Sequence, residues 1–445
     1  LGPLEGGGRA AGYFTGATGI VAYRGDAYPA EMRECLVVGD VGGNLVHRER
    51  LSPAGPFVEA RRIDDRSEFA SSDDTWFRPA QFANAPDGTL HVVDVYREVI
   101  EHPKSLPPGI REQLDLTSGR DRGRIYRIVP TGFARRPRFD LACTAAADLV
   151  PLLEHRNGWH RDTAARLILD RLLAPHDEQP DESTDVTAAL ERIADGSSLQ
   201  EGRIHALHLL AALGQLSAAR VLAALEDGHP RVREHAVRLA EQFPEDARVL
   251  ERLCLMTGDG DDRVRYQLAF SLGEFPSGPR REAALARLLV RDATAPYPRA
   301  AVFSSLARGV GTVIAAIAAD GPFAATPTGN EVLEELARQI GRRLDPDEVR
   351  AVDAVIAAAE ADDRVTAPLV AGYLAGRRRA TADRLQAAPL SAGCESARRR
   401  LLHAAHATAV DANADEASRV VAIGRLALGT FPESQSVLAG LLDAD

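Results

Sequence analysis

Lysine is almost missing: Lys104 stands alone among 53 basic residues, which disfavours Schiff-base chemistry. Aromatic residues make up only 5% of the chain while 45% is hydrophobic, the balance of an alanine-rich helical body. The four cysteines, Cys35, Cys143, Cys254 and Cys394, lie far apart and form no CxxC or CxxCH pair. That excludes a zinc ribbon and a covalent haem site and leaves any disulfide pairing open. No run of about 18 apolar residues occurs, and no charged stretch followed by an apolar one opens the chain. Neither a membrane span nor an export signal is visible. The chain begins at Leu1, as an internal piece of a longer polypeptide would.

A basic run is also missing. The net charge is −11, with 19 basic and 20 acidic residues up to Asp140 and 34 against 44 beyond it, so the acidity belongs to the second part. Nucleic acid is thereby a poor partner, since phosphate binding needs a concentrated positive face. The arginine triplets at 377–379 and 398–400 are expected to be solvated helix ends.

What the chain does have is an internal copy. HPRVREHAVRLAEQFPE from His229 returns as DDRVRYQLAFSLGEFPS from Asp261, with Arg231 on Arg263, Val232 on Val264, Arg233 on Arg265 and Pro244 on Pro276, each 32 apart. A helical unit of this length buries its apolar face only by stacking on neighbours. Arginines recur near the starts of five predicted helices, at 161, 203, 233, 265 and 299. Proline or aspartate before Val-Arg, then apolar residues at helical spacing, is the HEAT pattern; TPR and ankyrin signatures are absent. His205 and His208, at i and i+3, lack further ligands to complete a metal set and are expected to be core or groove residues. Two polar, proline-bearing breaks are expected, at APHDEQPDES from Ala174 and DGPFAATPTGN from Asp320.

Before about Thr144 the periodicity is two. GIVAYRGD, ECLVVGD, NLVHRERL, TLHVVDVY, EVIEH and GRIYRIV are predicted strands. CLVVGDVGGNLVHR aligns with TLHVVDVYREVIEH at an offset of 54, setting Asp40 on Asp94 and Val46 on Ile100, which predicts two equivalent hairpins and about two propeller blades. Residues with catalytic potential fall at strand ends here: Arg78, Asp94, Tyr96, Arg97 and His102. Arginine can pair a carboxylate in two-pronged fashion and histidine can act as a base. The competing readings are structural. Asp40 and Asp94 can cap backbone N–H groups, Arg78 can stack on Trp76 or pair with Asp73 or Asp74, and His102 can merely end a strand. Arg120, Asp121, Arg122 and Arg124 suit either an anion site or a surface ion-pair cluster. Asn157, Trp159, His160 and Arg161 are expected at the junction, with Asn157 as a helix cap and Trp159 covering the sheets.

GYFTGATGIVAYRGDAYPAE, GDVGGNLVHRERL, TWFRPAQFANAPDGTLHVVDVYREVIEHP, SLPPGI, LDLTSGRDRGRIYRI and NGWHRDTAARL together resemble the large membrane-bound dehydrogenase family of planctomycetes and verrucomicrobia. In that family a propeller similar to quinoprotein glucose and sorbosone dehydrogenases precedes HEAT repeats, often with a c-type cytochrome module. The resemblance implies an exported, periplasmic or envelope-associated protein that oxidises a sugar or alcohol with pyrroloquinoline quinone (PQQ) and calcium and passes electrons to haem c. The first blades and the CxxCH module have no counterpart here, so the expectation is a fragment that holds no cofactor itself. The expected fold is a multidomain β and α chain, a partial β-propeller of about two blades followed by a HEAT-type α-solenoid. Its domains are blades over 1–138, a solenoid over 139–330 and further HEAT-like repeats over 331–445. The expected role is scaffolding, with the solenoid carrying a protein partner or the protein's own cytochrome. The rival reading is a non-enzymatic module docking protein or polysaccharide; a rim hydrolase is disfavoured because no Ser/His/Asp order or paired carboxylates stand out.

Overall fold

A computed structural model describes residues 14, 16–100, 102, 104, 106–134, 136, 137, 140–173, 183–359, 362–381, 386 and 389–442. An antiparallel sheet region is followed by a long helical region, and the chain divides into two compact units, Leu1–Ser217 and Ala218–Asp445.

In the first unit, β1 (Ala17–Ala22), β2 (Cys35–Asp40), β3 (Leu45–Ala54) and β4 (Phe57–Arg62) form a meander, and the two-residue β5 (Ala70–Ser71) pairs with the start of β3. The second sheet is the meander β6 (Pro79–Asn84), β7 (Leu90–Asp94) and β8 (Arg124–Ile128). The two pack through Val37, Val46, Phe82, Leu90 and Val92, and the β1 and β6 edges are joined by Thr18 Oγ1 donating to Pro79 O. The predicted strand EVIEH does not form: residues 95–100 are irregular, and β7 takes β8 as its partner instead. Asp94 lies opposite Arg124 as Asp40 lies opposite Leu45, so the strand equivalent of Val46 is Ile125, not Ile100. The hairpins are equivalent, but the second has a long connection holding the single turn α1 (Pro108–Arg111). FVEARR and PAQFAN, whose alternation is weak, were the strands hardest to foresee.

The sheets lead into α2 (Ala146–Leu149), α3 (Gly158–Leu172), α4 (Ser183–Gly196) and α5 (Gln200–Ala212), packed on a core that includes Leu149, Leu153, Ile168, Leu190 and Leu210. APHDEQPDES lies largely outside the described residues.

The second unit runs α6 (Ala218–Ala224), α7 (Pro230–Leu239), α8 (Ala247–Leu255), α9 (Asp262–Ser271), α10 (Pro279–Arg291), α11 (Pro296–Ser305), α12 (Val310–Ala319), α13 (Gly321–Ala324), α14 (Pro327–Arg343), α15 (Pro346–Ala359), α16 (Asp363–Arg377), α17 (Ala392–Val410), α18 (Glu416–Arg425) and α19 (Phe431–Leu442). Two rows alternate: α7 packs on α9 and α9 on α11, while α6, α8, α10, α12, α14 and α16 follow one another in the second row. The expected break at 320–330 contains α13 and the start of α14, whose first turn is capped by Thr326. α14 and α16 approach backbone to backbone, because Gly341, Gly372 and Gly376 leave no room for a Cβ.

The recurring arginines have one local geometry. In Arg161, Arg203, Arg233 and Arg265, Nη1 donates to the carbonyl six residues earlier, of His155, Ser197, Asp227 and Asp259. Arg233 also forks onto Asp259, and Arg265 onto Asp292, which fixes each helix to the loop of the next unit. Arg299 departs from the set and pairs with Glu331, while Arg281 adopts the same six-residue bond, to Phe275 O.

Candidate functional site

Asp94, at the end of β7, is 1% exposed and accepts four bonds. Its Oδ1 takes the backbone N–H of Arg78 and of Tyr96, both at 2.8 Å; its Oδ2 takes Arg124 Nε at 3.0 Å and Nη2 at 2.8 Å. Asp40 does the same with half the partners, accepting from Gly16 N at 3.0 Å and Gly42 N at 3.1 Å. In each sheet a buried carboxylate ties the residue before one strand to the turn after the next.

Arg78 is equally committed. Nε donates to Arg97 O, Nη1 to Val41 O and Nη2 to Glu98 O, over 2.6–2.9 Å, so one guanidinium joins the first sheet's turn to the segment after β7. Beside it, Trp76 lies against Tyr96, ring centroids 5.5 Å apart, and Asp74 pairs with Arg124. Arg124 lies 3.7 Å over the Tyr96 ring. Burial opposes its charge, but Asp94 and Asp74 outweigh that and raise its pKa. Tyr96 adopts φ +47°, and Gly119 at φ +85° packs so closely on its carbonyl that a Cβ would not fit. Arg97 folds back on Val95 O and Tyr96 O. His102 is exposed and its Nδ1 accepts Lys104 N. The structure thus brings Arg78, Asp94, Tyr96 and Arg97 together, adds Arg124, Asp74 and Trp76, and gives His102 a separate turn. The exposed Arg122 lies 3.9 Å from the exposed Asp121, so the GRDRGR arginines divide between surface and clamp.

The residues present do not fit PQQ or calcium at this place. The Arg78 forks are spent on carbonyls, both Asp94 oxygens already accept two donors, and among the described residues no three His, Cys, Asp or Glu side chains converge for a metal.

The second polar cluster is the seam between sheets and helices. Asn157 caps α3 by accepting Trp159 N, and its Nδ2 donates to Ala85 O and Pro86 O. His160 Nε2 donates to Pro86 O, Gly158 N to Arg24 O, and Arg24 grips Asp162 with both Nη atoms. Burial lowers the His160 pKa, holding the ring neutral, and lowers that of Arg161 as well. Burial would raise Asp162, but bonds from His205 and Arg24 hold it down to about 2. His205 Nε2 lies 3.5 Å from Asp162 Oδ1. Trp159 packs on the helical core, and Asn157, Gly158, His160 and Asp162 bond to the loops at the sheets. Arg24, unremarkable in sequence, had no signal to mark it.

Residues 4–132 match a family described as a domain of unknown function, DUF7133. The match covers the sheet region and stops short of α2. No curated protein matches the chain.

Proposed function

We propose that this chain is a scaffold and docking module, two blade-type sheets of a β-propeller mounted on a HEAT-type α-solenoid, related to the quinoprotein-dehydrogenase-like proteins it resembles. The observation that carries this reading is the internal commitment of Asp94 and Arg78, whose hydrogen-bonding atoms hold backbone and the Arg124 guanidinium in place where a catalytic site would keep them free for substrate. The two-row helix order and the six-residue arginine bond support the solenoid. Oxidation of a sugar or alcohol with PQQ, calcium and haem c belongs, on this proposal, to a larger assembly whose funnel has more walls than two sheets supply. A periplasmic or envelope location follows from the same resemblance. Among the described residues no helix is long and apolar enough to cross a membrane.

The docking role has a specific support. Between α12 and α15 lies a groove of about 630 Å³ lined by small residues including Gly311, Ala315, Ala351 and Ala358, and a second, of about 410 Å³, opens beside α14 and α16. The test is direct. The chain with PQQ, calcium, sugars or alcohols and an artificial electron acceptor should show no turnover; turnover lost in Asp94→Asn with stability unchanged would overturn the scaffold reading.

A further inference from the structure

The groove of about 410 Å³ beside α14 and α16 has three unlike sides. Pro327, Asn330, Glu331 and Glu334, at helical spacing, give it one face of α14. Ala371, Leu374 and Ala375, all partly exposed, make an apolar floor on α16. From α18 come Val421, 55% exposed, and Arg425.

The charges on these sides do not balance. Glu331 pairs with Arg299 and Glu334 with Arg338, so each carboxylate on the α14 side already has an arginine. Across the groove, Arg378 spends Nη2 on the carbonyl of Ala427, and the half-buried Arg425 has no hydrogen-bond or ion-pair partner among the described residues. Their neighbours are matched: Arg398 holds Glu395 and Glu433, and Arg400 holds Asp363. Two guanidiniums without a carboxylate, set at an apolar floor, make a local positive site on a chain of net charge −11. Asn330 adds an acceptor, since its Nδ2 is bonded to Ala324 O and Thr326 O and Oδ1 is left for an N–H.

We propose that this groove docks an acidic, extended segment of a partner protein, with an aliphatic side chain on Ala371 and Leu374, a carboxylate on Arg425 and a backbone N–H on Asn330. This names the partner chemistry for the docking role proposed above and rests on that reading, whose own test is turnover and not binding. The probes are two fluorescein-labelled octapeptides, one alternating leucine with glutamate and one alternating leucine with lysine, followed by fluorescence anisotropy at physiological salt. Because the chain as a whole is acidic, non-specific attraction favours the lysine peptide, so a preference for glutamate has to come from the groove. The wild-type chain should bind the glutamate peptide at least about 10-fold more tightly than the lysine peptide, and Arg425→Glu should reverse that order. Ala371→Trp, which fills the floor and leaves the charges in place, should weaken the glutamate peptide about 10-fold. Arg238→Glu makes the same charge change at an exposed site on α7 and should keep the wild-type order. Far-ultraviolet circular dichroism establishes that the variants are folded. No measurable binding or no preference in the wild type, an Arg425→Glu chain that keeps the wild-type order, or an equal loss in Arg238→Glu overturns the proposal. Sedimentation of the peptide-free chain examines the other occupant: self-association that Arg425→Glu abolishes would assign the groove to a second copy and overturn it as well.

Discussion

Replacing Asp94 by alanine separates a clamp from a catalytic base. The carboxylate is 1% exposed, and its loss leaves the N–H groups of Arg78 and Tyr96 without an acceptor. Each buried orphan costs about 1–3 kcal/mol. Arg124 loses its fork but is 36% exposed and keeps Asp74 and the Tyr96 ring, so that part adds only about 1 kcal/mol. The expected destabilisation is roughly 3–7 kcal/mol. Asp40→Ala, which removes two such N–H acceptances without an arginine, should cost roughly 2–6 kcal/mol, about 1 kcal/mol less than Asp94→Ala. Asp94→Asn keeps Oδ1 but turns an amide toward Arg124, at about 2 kcal/mol. Urea unfolding followed by tryptophan fluorescence is a suitable assay, since Trp76 lies against Tyr96 at the clamp. An Asp94→Ala chain that unfolds at the wild-type urea concentration would refute the clamp and return Asp94 to the list of chemical groups.

Gly372→Ala puts a Cβ 2.7 Å from Glu334 C and 2.9 Å from its Cα, so α14 and α16 must part, and the second unit should lose roughly 1–3 kcal/mol in thermal unfolding. Gly424→Ala meets open space inside α18 and should instead stabilise by about 0.5–1 kcal/mol. The Asp162 carboxyl is held at about 2 in the folded chain against an ordinary 3.8, so its stabilisation is full above about pH 4 and disappears as the pH falls toward 2. Asp162→Asn should flatten the acid limb of stability in that window while leaving the neutral-to-alkaline side parallel to wild type. Native alkylation should label the exposed Cys143, whereas Cys394, fully buried with its thiol pushed up to about 12 by burial, should react only after unfolding.

Much of this architecture was legible because it repeats. The 32-residue match located α7 and α9 and their arginines, and the Asp40 and Asp94 pairing located two equivalent strand ends, because copies advertise themselves without any knowledge of contacts. The second hairpin was misjudged for a physical reason: VYREVIEH has strand-like alternation, but Arg78 draws the carbonyls of Arg97 and Glu98 away from any ladder. The roles of Arg124 and Arg24 were hidden because their partners lie 30 and 138 residues away, and neither partner's identity can be inferred from spacing. Arg78 looked chemical by residue type and position. Only its three carbonyl partners show what its charge is used for.

The six-residue arginine bond carries a consequence for how such a chain can change over time. Each guanidinium takes its bearing from a carbonyl on its own helix entry, so its position is set locally, whatever the distance to the preceding unit. Successive arginines at 161, 203, 233 and 265 stand 42, 30 and 32 residues apart and keep the same bond. Insertions and deletions in the loops outside that six-residue stretch are therefore tolerated, while a single residue added inside it would rotate the arginine off its carbonyl. Length variation should accumulate on one side of each clamp and be purged from the other, giving a fold that can lengthen or shorten its surface loops while its helix entries stay in step.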